Sequence, residues 1–330
     1  MAKLYDVVAL GEYLIDFTDN GTSPQGNTLF EANPGGAPCN VLSMLNRLGH
    51  RCAFVGKVGD DLFGSLLRQV GTEAGISMDG LAVDPHARTT LAFVRTLPGG
   101  DRDFSFYRNP GADMQLTADE LPLPMLRDTA IFHYGSISMT HEPARDATCR
   151  AAAIAREAGA LLSYDPNLRP PLWDDPEEAR VQMEWGLDHC DICKIADNEL
   201  AFLTDIDPDG GVDGAAFDRG VAMLRQRHPA VRLWNVTAGA GGSYSYYGNL
   251  RVHVPAYLLG GTIETTGAGD AFCGCVLDWV LRHGLNDLTE GDLTDMLQFA
   301  NAAAYIVTTK KGAIRAMPCR EEVEAIRNRG

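Results

Sequence analysis

Apolar positions along the 330-residue chain follow two rhythms. Short runs of aliphatic and β-branched residues, bounded by Gly, Pro or Asp, read as strands. Longer stretches with apolar residues three and four apart read as helices. The run over residues 5–15 predicts a first strand that ends at Asp16, and residues 41–48 predict a helix stopped by Gly49. Residues 89–97 alternate with period two, turn at Pro98-Gly99-Gly100-Asp101 and return over 103–107, the pattern of a hairpin. Strands predicted at 131–134, 161–164, 192–195 and 231–236 then alternate with helical stretches such as 143–158. Late in the chain, Ala271, Phe272, Val276, Leu277, Val280 and Leu281 recur at helical spacing, and 295–307 predicts another helix. Alternating strands and helices imply an α/β fold with a mostly parallel central sheet.

Length and composition narrow the class without naming it. A chain of 330 residues buries a sizeable core, and 45% hydrophobic with 22% charged residues is ordinary for a soluble protein. The net charge of -16 repels nucleic acid and anionic membrane surfaces, so neither is an expected partner. Eight cysteines in a chain this large read as reduced thiols, which suits the cytoplasm. Cys190 and Cys193 form a CxxC, but no second pair at zinc spacing follows. No signal-peptide pattern opens the chain and no apolar run reaches membrane-spanning length. Residues 205–213, acidic with Pro and Gly, read as a surface loop.

The chemistry concentrates in glycine-rich turns. Gly267, Ala268 and Gly269 let the backbone turn tightly against a ligand, with Asp270 at the start of the helix that follows. Helix-tip amides point outward and the macrodipole adds positive charge, so the tip suits a phosphate. Asp270 there can accept the proton of an attacking hydroxyl, or serve as a plain N-cap. Gly35 and Gly36 precede a second helix, one turn into which Asn40 offers both donor and acceptor to a polyol. Asp16, at a predicted strand end, and Arg108, after the hairpin, are further candidates for a ligand contact. So are the polar residues of Asp165-Pro166-Asn167-Leu168-Arg169-Pro170-Pro171, a loop stiffened by proline.

The string from Glu264 to Asp270 resembles the second signature of the PfkB, or ribokinase-like, carbohydrate kinases, which usually opens with Asp where Glu264 stands. The diglycine and Asn40 resemble the first signature. Thr237, Gly239 and Gly242 fit the family's Thr-x-Gly-x-x-Gly nucleotide loop. The motifs run in family order over nearly the whole chain, and the segments at 11–16, 109–116 and 165–173 look most like the fructokinase branch.

This resemblance implies a three-layer ribokinase-like fold, one kinase domain over residues 1–330, and a small β lid from about 12–33 and 87–110. It implies Asp270 as catalytic base and the Gly267, Ala268 and Gly269 amides as anion hole. Asp16, Gly35, Gly36, Asn40, Arg108, Asn167 and Arg169 would hold the sugar. Lys194, Thr237, Gly239, Gly242, Asn301 and Gly312 would hold the nucleotide. Glu199 matches an acid that organises Mg²⁺ through water, although Ala196 stands where the family has Asn. Backbone carbonyls of Glu264, Thr266, Val307 and Gly312 match those that bind a monovalent cation, K⁺, in some relatives. The expected reaction is ATP-dependent phosphorylation of a primary hydroxyl, with fructose favoured over ribose, keto-deoxygluconate or aminoimidazole riboside. A silent sugar- or nucleotide-binding regulator is the rival from another class, but it should have lost the base or the anion loop. A Rossmann dehydrogenase is excluded, because no Gly-x-Gly-x-x-Gly follows the first strand. Relatives often dimerise through their lids, and the apolar face of residues 91–97 would permit that.

Overall fold

A computed structural model describes residues 3–96, 102–206 and 214–329. The turn predicted at 98–101 and most of the loop at 205–213 lie outside these residues. The first strand, β1 (Tyr5–Leu10), sits inside a nine-stranded sheet beside β4 (Cys52–Gly59) and β8 (Thr129–Gly135), parallel to both. The sheet continues from β4 to β5 (Ser77–Asp84), and from β8 through β9 (Leu161–Asp165) and β10 (Ile192–Ala196) to β11 (Leu233–Thr237). All of these pair in parallel. Only β12 (Ser243–Tyr247) and β13 (Leu250–Val254) close the far edge as antiparallel strands.

Period-two alternation divides the core between the faces of this sheet. Val7 and Ala9 of β1 join one apolar cluster, and Val8 and Leu10 join the other. The first cluster packs under α1 (Ala37–Arg47), α2 (Leu62–Glu73), α8 (Ala268–His283), α9 (Glu290–Thr308) and α10 (Arg320–Arg327). The second packs under α3 (Leu123–Arg127), α4 (Ala144–Glu157), α5 (Pro176–Asp188), α6 (Asp197–Thr204) and α7 (Ala215–Arg227). Helix, sheet and helix make the three layers expected from the sequence.

Helix α1 begins at Ala37, four residues before the predicted 41, with Pro38 in its first turn, and two further boundaries differ from the sequence reading. The apolar run of 5–15 is not one strand. It leaves the main sheet after Leu10, at Gly11, where a Cβ would come within 2.7 Å of Pro38 at the entry to α1, and resumes as β2 (Leu14–Thr22) in a second sheet. Asp16 therefore lies inside a lid strand, paired with Asn33, and not at the end of a core strand. Helix α9 starts at Glu290, five residues before the predicted 295, because Thr289 and Asp292 cap each other's amides at 2.9 and 3.2 Å.

The second sheet has the order β3–β2–β6–β7, with β3 (Thr28–Gly35), β6 (Leu91–Thr96) and β7 (Arg102–Tyr107). β6 and β7 form the expected antiparallel hairpin. One side of this sheet carries Asp16, Thr18, Val94 and Phe106 toward a cavity. The other carries Phe17, Phe30, Phe93 and Tyr107, in ring contact at 4.9–5.4 Å between centroids. All eight cysteines are unpaired. Among the described residues no helix is long and apolar enough to cross a membrane.

Candidate active site

The tip of α8 is the point on which the site is built. Gly267 precedes it with φ of +79°, a left-handed conformation that favours glycine. A Cβ there would come within 2.7 Å of the Ala313 methyl. The Ala268 amide makes a long 3.3 Å bond to Thr265 O, so one of the three donors expected at this tip has a partner within the loop.

Asp270, in the first turn, is 8% exposed. Burial pushes its pKa above the ordinary value, against the pull of Asn40, Lys194 and Arg169. Asn40 Nδ2 donates to Asp270 Oδ2 at 2.7 Å, which leaves Asn40 Oδ1 buried without a hydrogen-bond partner. Asn40 reaches this place because α1 begins at Gly36, whose φ is +127° and whose Cβ would overlap the Glu12 carbonyl.

Two cavities meet at this tip. The first, about 350 Å³, lies under the second sheet and is lined by Asp16, Gly36, Asn40, Arg108, Asn167, Arg169, Gly267 and Asp270, among others. The second, about 330 Å³, is lined by Gly239, Gly242, Tyr257, Ala268, Phe272, Asn301 and Tyr305, among others. Thr237, Thr265 and Gly269 line both. The predicted sugar contacts thus gather in the first cavity, except Gly35, which does not line it. The space where a Gly35 side chain would go is taken by the Asp16 carboxylate, 2.6 Å away. Arg108 faces the first cavity, with Asp113, Thr140 Oγ1 and the Ile137 carbonyl holding three of its donors at 2.8–3.0 Å.

The nucleotide residues divide. Thr237, Gly239, Gly242 and Asn301 line the second cavity. Asn301 braces its wall, donating to the Val254 and Pro255 carbonyls and accepting from Ser243 Oγ. Gly312 lines neither cavity and packs against Asn33 of the lid. Lys194 lines the first cavity and not the second. Its ammonium lies 3.1 Å from Asp165, a carboxylate with no exposure.

Glu199 also faces the first cavity, but both of its oxygens accept backbone N–H groups, from Leu168 and Ala196, each at 2.8 Å. Among the described residues no three His, Cys, Asp or Glu side chains converge as a metal chelate. The carboxylates that line the cavity, Glu199 and Asp270, suit a hard cation that keeps its waters and arrives with phosphates. For the monovalent cation, the segment of Glu264 and Thr266 lies against the end of α9, with Ile263 N–H and Glu264 N–H donating to Thr308 O.

Glu12 is the residue that sequence reasoning missed. It lines the first cavity, is 3% exposed, and its Oε1 accepts the Ala37 N–H at the start of α1 at 2.8 Å. Burial, with Asp113 adding, pushes its pKa to about 7. Its place in an apolar run was the available signal.

Residues 5–320 match the pfkB family of carbohydrate kinases. Fructokinase-1 of Zea mays is 45% identical over 319 residues, 96% of each chain. A fructokinase crystal structure with bound ATP, from Xylella fastidiosa, aligns with TM-score 0.86 and 32% identity over 99% of both chains. A ribokinase II structure from E. coli, described as putative and in complex with ATP and Mg²⁺, aligns at TM-score 0.83 and 27% identity, covering 99% of this chain and 100% of that one.

Proposed function

The chain belongs to the pfkB family of carbohydrate kinases, and we propose that it transfers the γ-phosphoryl group of ATP to a primary hydroxyl of D-fructose, giving fructose 6-phosphate. The carrying observation is the meeting of two cavities at Gly269, with a buried carboxylate on the polar side of the junction. Phosphoryl transfer needs two reactants held in line and a place for spreading negative charge more than it needs covalent chemistry.

The sugar occupies the cavity under the lid, and the adenosine part of ATP occupies the cavity beside α9. Asp270 takes the proton of the attacking hydroxyl through the oxygen that Asn40 leaves free. The amides of residues 267–269 hold the group in transit. Asn40 Oδ1, unpartnered and buried, accepts a sugar hydroxyl. Mg²⁺ bound with the nucleotide would supply charge neutralisation, and Glu199, which lines the first cavity, is the carboxylate that would face its waters. The lid strands exclude water, which competes as acceptor.

The same reading takes residues 1–330 as one kinase domain and K⁺ as the ion for the carbonyls at 264, 266, 307 and 312. The aromatic lid face, with Phe30 and Tyr107 exposed, would be the contact of a homodimer. Unpaired thiols suit the cytoplasm. A panel of fructose, ribose, keto-deoxygluconate and aminoimidazole riboside with ATP and Mg²⁺ tests the assignment. Turnover led by fructose is expected. Turnover led by another sugar moves the substrate, and nucleotide binding with no turnover of any sugar refutes the kinase in favour of a silent binder.

A further inference from the structure

We propose that Asp113 fixes the class of acceptor: by cancelling the charge of Arg108 it opens the first cavity to neutral polyols and closes it to sugar acids. This rests on the kinase reading and adds a selectivity residue that does not itself line the cavity. Arg108 Nε and Asp113 are paired at 2.8 Å, with side chains 3% and 2% exposed. The other Asp113 oxygen accepts Thr90 Oγ1. Gly111 leaves room for this cluster, since a Cβ there would come within 2.6 Å of Asp113 Oδ1 and 2.9 Å of Arg108 Cγ. Thr140 Oγ1 and the Ile137 carbonyl each take one N–H from a terminal nitrogen of Arg108. A guanidinium carries five N–H groups, so one remains on each terminal nitrogen, in a group whose charge is already matched. Such donors suit hydroxyl oxygens.

An uncompensated guanidinium in a sheltered cavity would be a carboxylate receptor, because the two groups pair in bidentate fashion. Asp113 removes that option. The rest of the wall follows the same rule. Lys194 is matched by Asp165 at 3.1 Å, and Arg169 is among the groups that oppose the rise burial gives the Asp270 pKa. Glu12 and Asp16 line the cavity as well. Among the described residues, an anionic acceptor therefore meets carboxylates and no unmatched cation, whereas a neutral sugar meets donors and acceptors alike. As a simple brace the pair has little to offer, since a buried ion pair is commonly no more stable than apolar residues of similar volume. Selectivity is a difference of affinities, and a charge that repels the wrong ligand is one way to set it.

The experiment compares wild type, Asp113→Asn and Thr90→Val. In Asp113→Asn the carboxamide oxygen still accepts Arg108 Nε–H, so the change is one charge. Calorimetry on the ADP-loaded protein gives affinities for D-gluconate and for sorbitol, which differ by a carboxylate in place of a CH₂OH group. Steady-state kinetics give kcat/KM for fructose and keto-deoxygluconate. Wild type should bind gluconate about tenfold or more weakly than sorbitol. Asp113→Asn should shrink that ratio by about tenfold or more, the order expected for one unit charge a few ångströms away at a partly screened site. The kcat/KM of keto-deoxygluconate relative to fructose should rise by about the same factor. Thr90→Val, which loosens the cluster without changing its charge, should leave both ratios within about twofold of wild type. A folded Asp113→Asn with an unchanged affinity ratio overturns the proposal. So does a Thr90→Val that moves the ratio as far, and so, with no variant needed, does wild type binding gluconate as well as sorbitol. Failure of the kinase reading would show separately, as wild-type protein that phosphorylates no sugar while the affinity ratio is still measured. A neutral sugar other than fructose leading the panel would move the substrate and still fit this inference.

Discussion

Replacing Asp270 with Asn removes the proposed base and little else. The side chains are isosteric, Asn40 Nδ2 keeps an oxygen to donate to, and a buried charge is lost. Folding stability should therefore hold or rise slightly. Asp270 does not line the second cavity, so ADP affinity should stay within about twofold of wild type. The chemical step is another matter. A positioned general base contributes about 10²–10⁴ in rate, which is roughly 3–5 kcal/mol at 1.36 kcal/mol per tenfold. We expect kcat to fall by about 10³, the middle of that range. A coupled assay of ADP release, run beside calorimetry with ADP, separates the two effects. The wild-type enzyme should also lose rate in acid. Asp270 must be unprotonated to act, and burial raises its pKa above the 3.8 of an exposed aspartate, so the acid limb lies above that value. That limb should vanish from the variant's residual rate. A variant that keeps kcat within about tenfold of wild type would show that Asp270 is not the base.

Two further substitutions probe the scaffold. Asp278, buried in α8, pairs with His50, Arg282 and Arg320 at 2.7–3.0 Å. Asp278→Asn should cost about 3 kcal/mol in urea unfolding, the order expected when one member of a buried network is removed. Burial alone would raise the Asp278 pKa, but His50, Arg320 and Arg282 bring it below 3.8. Its stabilisation is thus present above that value and is lost as pH falls through the lower folded pKa. Unfolding midpoints that do not change would refute this. Glu12 runs the opposite way, from 4.5 up to about 7, so its ionisation destabilises the fold as pH rises across that window. Glu12→Gln keeps an acceptor for Ala37 N–H and should stabilise by about 3 kcal/mol more at pH 8 than at pH 4, by the free energy of a shift this size. Equal effects at both pH values would refute it.

The layers were legible because apolar periodicity records which face of an element is buried, and β9, α4 and the β6–β7 hairpin all came close to their observed bounds. What periodicity does not record is a change of sheet. The run at 5–15 is mostly apolar on both sides of Gly11, and the close approach of Pro38 there comes from a residue distant in sequence. Glu12 was hidden in that same run. Gly36, Gly239, Gly242 and Gly267 stood out because each takes a positive φ that favours glycine. A strand residue's sequence does not tell which of two adjoining cavities it faces, and Lys194 faces the first. The burden on Asn301 depended on its neighbours, Ser243 and the 254–255 carbonyls, far away in the chain.

Gly269 also sets how thin the partition between the two chambers is. Of the three residues that border both, Thr237, Thr265 and Gly269, it alone has no side chain, so a molecule joining a furanose to adenosine by a short phosphate tether would pass beside it. Once one end of such a compound has docked, the other experiences a local concentration of about millimolar or higher. Tethered inhibitors of this protein should therefore gain far more than either half alone suggests, and a methyl at position 269 would narrow the passage they depend on.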